Sequence, residues 1–305
     1  MNRLRAPLYR LLLGLLLCLP LVASAFEVAL VVSQRSGPYE VFTETFVRAA
    51  AAAGHRVIDA GSVDGTLDDA LIARADIVIA NGEAALAAVL QRPAGPTLGV
   101  MLGRERFNAL RKRFPLAELS AFTLDQPAER QLRLLRAVLP DSQRIGVLFG
   151  EAMLSGRELQ AVAPEAGFGL LASVVSKESE LIAGLETVLR GSDAFIAIPD
   201  PLLSRPSSAR AILLTSYRFQ KPVIAFSRAY VEAGALAAVF STPESVAADV
   251  ASWLDAGSGK TLKLPGLRGP ASFEIAVNRQ VARALGIRVP DDDELRRLTA
   301  GGEKS

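Results

Sequence analysis

From residue 26 onward the apolar positions fall in short runs of Val, Ile, Leu and Ala rather than in alternation with polar ones. Runs of that kind suit strands covered on both faces, as in a parallel sheet. Those at 26–33, 56–60, 76–80 and 97–102 read as strands. Between them, 3.6-residue periodicity predicts helices at 39–53, 67–74 and 83–91. Phe42, Phe46, Ala49, Ala50 and Ala53 share one face of the first helix, and Gly54 stops it. The pattern weakens after residue 103, through Arg104, Arg106, Arg111, Lys112 and Arg113, which read as a solvated helix face near a domain crossover. It resumes with a helix at 128–139, introduced by Asp125 and Pro127 and closed before Pro140. Strands at 144–149, 170–175, 194–198 and 222–226 then alternate with helices at 157–166, 178–190 and 208–219. Two successive series of this kind predict an α/β protein with two parallel sheets, each covered by helices on both faces.

The first 25 residues follow a different rule. Arg3, Arg5 and Arg10 precede an apolar run from Leu11 to Leu17, Pro20 ends that run, and Ala23-Ser24-Ala25 offers small residues for cleavage. This predicts a secretory signal peptide cut after Ala25, hence a periplasmic protein. The run is shorter than the roughly 20 residues that span a bilayer. Cys18 follows Leu17, where a lipid-attachment motif requires a small residue.

Removal of this segment changes the charge. Three arginines leave and no acidic residue does, so 34 basic residues become 31 against 32 acidic ones, and the net charge moves from +2 to −1. A near-neutral chain has no general attraction to nucleic acid or anionic lipid, so no nucleic-acid partner is expected. The only cysteine leaves too, and a chain of this size can bury enough core without disulfides.

Enzyme signatures are sparse. Without a mature thiol, cysteine catalysis and thiolate metal sites are excluded. His55 is the only histidine, which removes His-pair zinc motifs, and its place after Gly54 reads as a helix end. Gly257-Ser258-Gly259-Lys260-Thr261 ends like a phosphate-binding loop but lacks the first glycine and the preceding buried strand, so it reads as a linker. No dinucleotide fingerprint and no nucleophile elbow occur. The expectation is a non-enzymatic protein with no cofactor and no metal.

Polar residues at the carboxyl ends of the strands point instead to binding, because helix N-termini and loops converge on that edge of an open parallel sheet. Ser33, Ser36 and Tyr39 follow the first strand, and Asn81 and Glu83 follow the third. In the second half Ser155, Asp200, Ser227 and Tyr230 hold equivalent places. If the halves face each other, these nine residues line one ligand cleft.

The stretches Ala194-Phe195-Ile196-Ala197-Ile198-Pro199-Asp200, Ala211-Ile212-Leu213-Leu214-Thr215-Ser216-Tyr217-Arg218 and Pro222-Val223-Ile224-Ala225-Phe226-Ser227 resemble the substrate-binding proteins of ABC transporters. So do Tyr230-Val231-Glu232-Ala233-Gly234-Ala235-Leu236 and the closing Val277-Asn278-Arg279 with Ala282 and Leu285-Gly286. The resemblance implies a type I periplasmic-binding-protein fold, with two doubly wound lobes and the ligand between them. It implies residues 26–119 with 241–265 as one lobe and 120–240 with 266–290 as the other, leaving 291–305 as a polar tail. Residues 242–256 would then pack back on the first lobe, with crossovers near 103–122, 227–242 and 264–272. The partners implied are a small-molecule solute and a membrane permease, and a monomer is expected. An alternative is an envelope signalling or assembly module that uses the same fold to bind a protein. The Thr-Gly-containing loop of members that bind aromatic amino acids is replaced here by residues 120–125, so the resemblance extends to fold and class but not to ligand identity.

Overall fold

The computed structural model describes residues 25–150, 154–259 and 261–301; the segment read as a signal peptide, apart from Ala25, lies outside them. The first sheet contains β1 (Glu27–Val32), β2 (Arg56–Ser62), β3 (Ile77–Asn81), β4 (Thr97–Leu102) and β5 (Leu119–Thr123), ordered β2-β1-β3-β4-β5 and parallel throughout. Helices α1 (Pro38–Ala52), α2 (Asp69–Arg74), α3 (Glu83–Val89) and α4 (Arg104–Arg113) connect these strands. Alternate residues of β1 enter opposite cores. Val28, Leu30 and Val32 join Phe42 and Phe46 of α1, whereas Ala29 and Val31 join Leu86 of α3 and Phe107 of α4. A strand buried on both faces has no polar side, which explains the continuous apolar runs.

The second sheet repeats the design. After α5 (Ala128–Val138) come β6 (Arg144–Phe149), α6 (Leu154–Val162), β7 (Gly169–Val174), α7 (Leu181–Leu189), β8 (Ala194–Ile196), α8 (Pro206–Arg218) and β9 (Val223–Ala225). A short α9 (Arg228–Glu232) leads to β10 (Ala237–Phe240), and β11 (Glu274–Val277) closes the edge antiparallel to β10. The order β11-β10-β9-β8-β6-β7 contains the same doubly wound arrangement as the first sheet, with β6 as its first strand.

The chain then exchanges lobes. Helix α10 (Pro243–Ala256) returns to the first lobe, where Val246, Ala247, Val250 and Leu254 pack with Phe42, Phe46 and Ala50 of α1. Helices α11 (Arg279–Ala284) and α12 (Asp292–Ala300) belong to the second lobe.

Three sequence expectations are corrected. A division at 119/120 falls inside β5, which pairs with β4, so the first sheet runs through Thr123. The first crossing accordingly lies at residues 124–127 rather than within 103–122, which hold α4 and β5. The supposed polar tail contains α12, whose Leu295 is buried in the second-lobe core and whose Thr299 carbonyl accepts a 2.6 Å hydrogen bond from Arg133 Nε. Its three leading acidic residues suggested solvent, but Asp291 caps the helix and the apolar stripe behind it decides its place.

His55 is buried at the start of β2. Its Nδ1 accepts the Phe26 N–H at 3.3 Å and its ring stacks on Phe26 at 5.5 Å, a packing position.

Candidate ligand-binding cleft

Three crossings meet beside the cleft and are stitched together. Arg268, on the third, donates its N–H to the Ala121 carbonyl at 3.0 Å and accepts the Thr123 N–H at 2.8 Å. Gln126, on the first, donates from Nε2 to Ser241 Oγ on the second at 2.8 Å. A bulge at the end of β4, with Met101 in the left-handed region at φ 54°, shifts the register against β5. Such bulges bend a strand and re-aim the residues beyond them. Here Gly103 and the N-terminus of α4 meet Asp125, whose Oδ2 accepts the Arg104 N–H at 2.6 Å.

Between the lobes, on this hinge side, lies a cleft of about 880 Å³, within the range typical of small-molecule sites. Leu124, Asp125 and Gln126 of the first crossing form one wall, and Phe226, Ser227 and Arg228 face them from the second lobe. Further along the gap, Glu105 and Arg106 of α4 oppose Gly150 and Asp200 across a smaller groove of about 300 Å³. Arg104 spans the lobes, pairing with Glu158 of α6 at 2.7 Å.

The nine residues singled out from the sequence do not form one lining. Among the described residues, Ser227 alone of the nine lines the main cleft, where its hydroxyl caps α9 by accepting the Tyr230 N–H at 3.3 Å. Ser33, in the loop between β1 and α1, accepts the N–H of Ala85 in α3 at 3.0 Å through its Oγ. Asn81 is fully buried, its amide donating to the Tyr39 carbonyl at 2.9 Å and to Thr43 Oγ1 at 3.2 Å. Gly82 is required beside them: its φ is 103°, and a Cβ there would stand 2.7 Å from the Tyr39 ring. Glu83 pairs with Arg106 at 3.5 Å, and Ser36 is exposed.

In the second lobe Asp200 borders the smaller groove, but its carboxylate is spent on backbone. Oδ2 accepts the Gly150 N–H at 2.8 Å, and Oδ1 accepts those of Leu202 at 2.7 Å and Leu203 at 3.2 Å. It therefore ties together the two loops at the topological switch point of the second sheet. Tyr230 packs in the core with its ring 5.5 Å from Phe226, and burial raises its hydroxyl pKa. Ser155 is buried in a small cavity that adjoins the main cleft.

Sequence reasoning missed Asp125, Gln131, Arg228 and Glu274, all of which line the main cleft. Asp125 and Gln131 belong to the segment that introduces α5 and to its first two turns, so the periodicity assigned them to a helix start. The available signal was a polar pair, Asp125-Gln126, directly before Pro127 at a lobe crossing. Asp125 is only 8% exposed, and this burial raises the pKa of its carboxyl group, opposed by the hydrogen bond from Arg104. Gln131 is 5% exposed and its carboxamide has no hydrogen-bond partner among the described residues.

Two doubly wound lobes, three crossings and a cleft between them define a type I periplasmic binding protein. The chain belongs to the ABC transporter substrate binding protein family, whose pattern matches residues 123–292, more than half of its 305 residues. Solved structures share the fold. A ligand-free, open substrate-binding protein with adhesive properties from Clostridium difficile superposes with a TM-score of 0.67 at 16% identity, covering 88% of this chain and 97% of the other. A conserved domain protein of Vibrio cholerae O1 biovar El Tor gives 0.61 at 16% identity, over 90% and 98% of the two chains. A Streptococcus pneumonia ABC domain in complex with L-Trp gives 0.59 at 17% identity, over 90% and 98%. No curated protein matches the sequence.

Proposed function

We propose that this chain is an exported solute receptor that closes its two lobes over a small molecule and presents it to the permease of an ABC importer. The carrying observation is the cleft of about 880 Å³ at the junction of three crossings, where a solute would touch both lobes at once. The family is one of binding proteins rather than enzymes. Consistent with this, the chain's lone histidine, His55, is buried in packing and holds the first residue of the sheet. Ser227 of the second lobe, with Asp125 and Gln131 at the first crossing, are the residues proposed to touch the solute. In this proposal the periplasmic protein begins at Phe26, whose side chain is already seated in the first-lobe core.

Thermal melts of the purified mature chain against a broad solute library test the receptor role. At least one solute should raise the melting temperature in a saturable, concentration-dependent way. Stable capture of an envelope protein with no stabilising solute would instead favour a signalling or assembly role.

A further inference from the structure

The hinge-side cleft carries charge of predominantly one sign. Among the described residues, four carboxylates line it, those of Asp125, Glu232, Glu244 and Glu274, against one guanidinium, Arg228. That guanidinium pairs with Glu274 at 3.0 Å and lies over the Phe240 ring at 5.2 Å. The other three carboxylates form no salt bridge among the described residues. Neighbouring arginines are engaged elsewhere: Arg104 with Glu158 at 2.7 Å, and Arg130 with Gln126 at 2.6 Å and with the Phe273 ring.

A second, independent feature asks for a ligand. Gln131 is 5% exposed, lines the main cleft and the small cavity beside it, and leaves its carboxamide unpartnered. The residue is buried but its amide opens on the cleft, free to donate to and accept from whatever enters. Asp125, which lines the same two spaces, offers a buried carboxylate that holds one backbone N–H and forms no ion pair among the described residues. Leu124, Phe226 and the three prolines Pro38, Pro199 and Pro243 supply apolar wall.

The cleft is poorly furnished for an anion. Of the helix N-termini that border it, α4 is occupied by Asp125, α9 is capped by Ser227 and α10 by Thr242. Two, α1 and α5, open on residues, Gly37 and Pro127, that give no side-chain cap. A carboxylate in the cleft would otherwise have to take Arg228 from Glu274.

We infer that the solute is an organic cation, an amine on an apolar body, with its ammonium against Asp125, its orientation set by Gln131, and its body on Leu124 and Phe226. This rests on the receptor role and names the class of solute that fills it. A buried carboxylate favours a cation strongly when both leave water together.

The test uses three probes that share one ring system and differ in charge: tryptamine, L-tryptophan and indole-3-propionate, with a series of alkyl and aryl amines beside them. Calorimetric titration of the purified mature protein should show an amine binding at least tenfold tighter than the zwitterion or acid of the same body. Asp125→Asn should weaken that amine at least tenfold while keeping the fold, because asparagine can still accept the Arg104 N–H; circular dichroism checks this. Binding by no amine, an unchanged affinity in Asp125→Asn, or equal affinity for tryptamine and L-tryptophan each overturns the inference. If acids or neutral solutes bind and amines do not, only the charge assignment falls. If no solute of any charge binds, the receptor role falls with it.

Discussion

Asp125 and Asp200 are both buried aspartates at the carboxyl ends of strands or just beyond, yet their surroundings give them different roles. Asp200 receives three backbone N–H groups and serves as a clamp. Asp200→Ala leaves those donors unmet, the Leu203 N–H in the core and the other two half-buried, and an unmet buried group costs about 1–3 kcal/mol. The variant should therefore lose stability in urea denaturation rather than lose affinity alone. Asp125 receives one N–H from Arg104 and is otherwise desolvated, so its folded-state pKa lies above the ordinary 3.8. The native state then holds more protons than the unfolded one between 3.8 and the raised value, and stability falls as pH rises through that window. Asp125→Asn removes this dependence and should melt above the parent at pH 7 in the absence of solute. Affinity for a cation runs the other way, weakening as pH is lowered through the raised value and the carboxylate is neutralised. Melting curves from pH 3 to 8 on both proteins check the first trend, and titrations over the same range check the second.

At the scale of elements, the long helices were readable because each combines a stop or start residue with a periodic stripe. Helix α1 runs from Pro38 to a left-handed Gly54, and α10 opens with a reciprocal Thr242–Ser245 cap. Strands β5, β10 and β11 were not read, because they lie in or directly beside the segments read as lobe crossings. What makes β5 a strand is its neighbours, β4 on one side and Arg268 of the third crossing on the other. The packing of α10 on α1 shows the opposite case, in which a resemblance placed a distant segment on the first lobe and burial explains why it stays there. Leu254 is fully buried against that lobe's core. Leu254→Ala should cost about 2–5 kcal/mol, read as a lower urea midpoint.

For the whole molecule, the proposed function requires the three crossings that join the two lobes to bend. Closure requires a solute that binds the closed form more tightly than the open one. At about 100 times its dissociation constant, a cognate solute should add roughly 2.7 kcal/mol of stability. It should also reduce the radius of gyration in small-angle scattering. A solute that raises the melting temperature and leaves that radius unchanged would mean a rigid recognition module. The ion pair between Arg104 and Glu158 already links the lobes, with both side chains about a third exposed, so it contributes no more than about 1 kcal/mol and does not lock the gap.

Two parallel sheets covered by helices are legible in the amino-acid sequence alone, because strands buried on both faces and helices with one apolar stripe are local patterns that survive without coordinates; the doubly wound order came from the resemblance to a known family. The sheet edge where loops converge is legible too, but Ser227 alone of the nine candidates there lines the main cleft. The rest emerges only when the lobes pack. Whether a buried polar side chain is spent on backbone, as in Asp200, or left facing a cavity, as in Gln131, depends on groups brought within about 3 Å, the length of a hydrogen bond, from distant parts of the chain. Such a distance is a property of the packed lobes, and no local spacing encodes it.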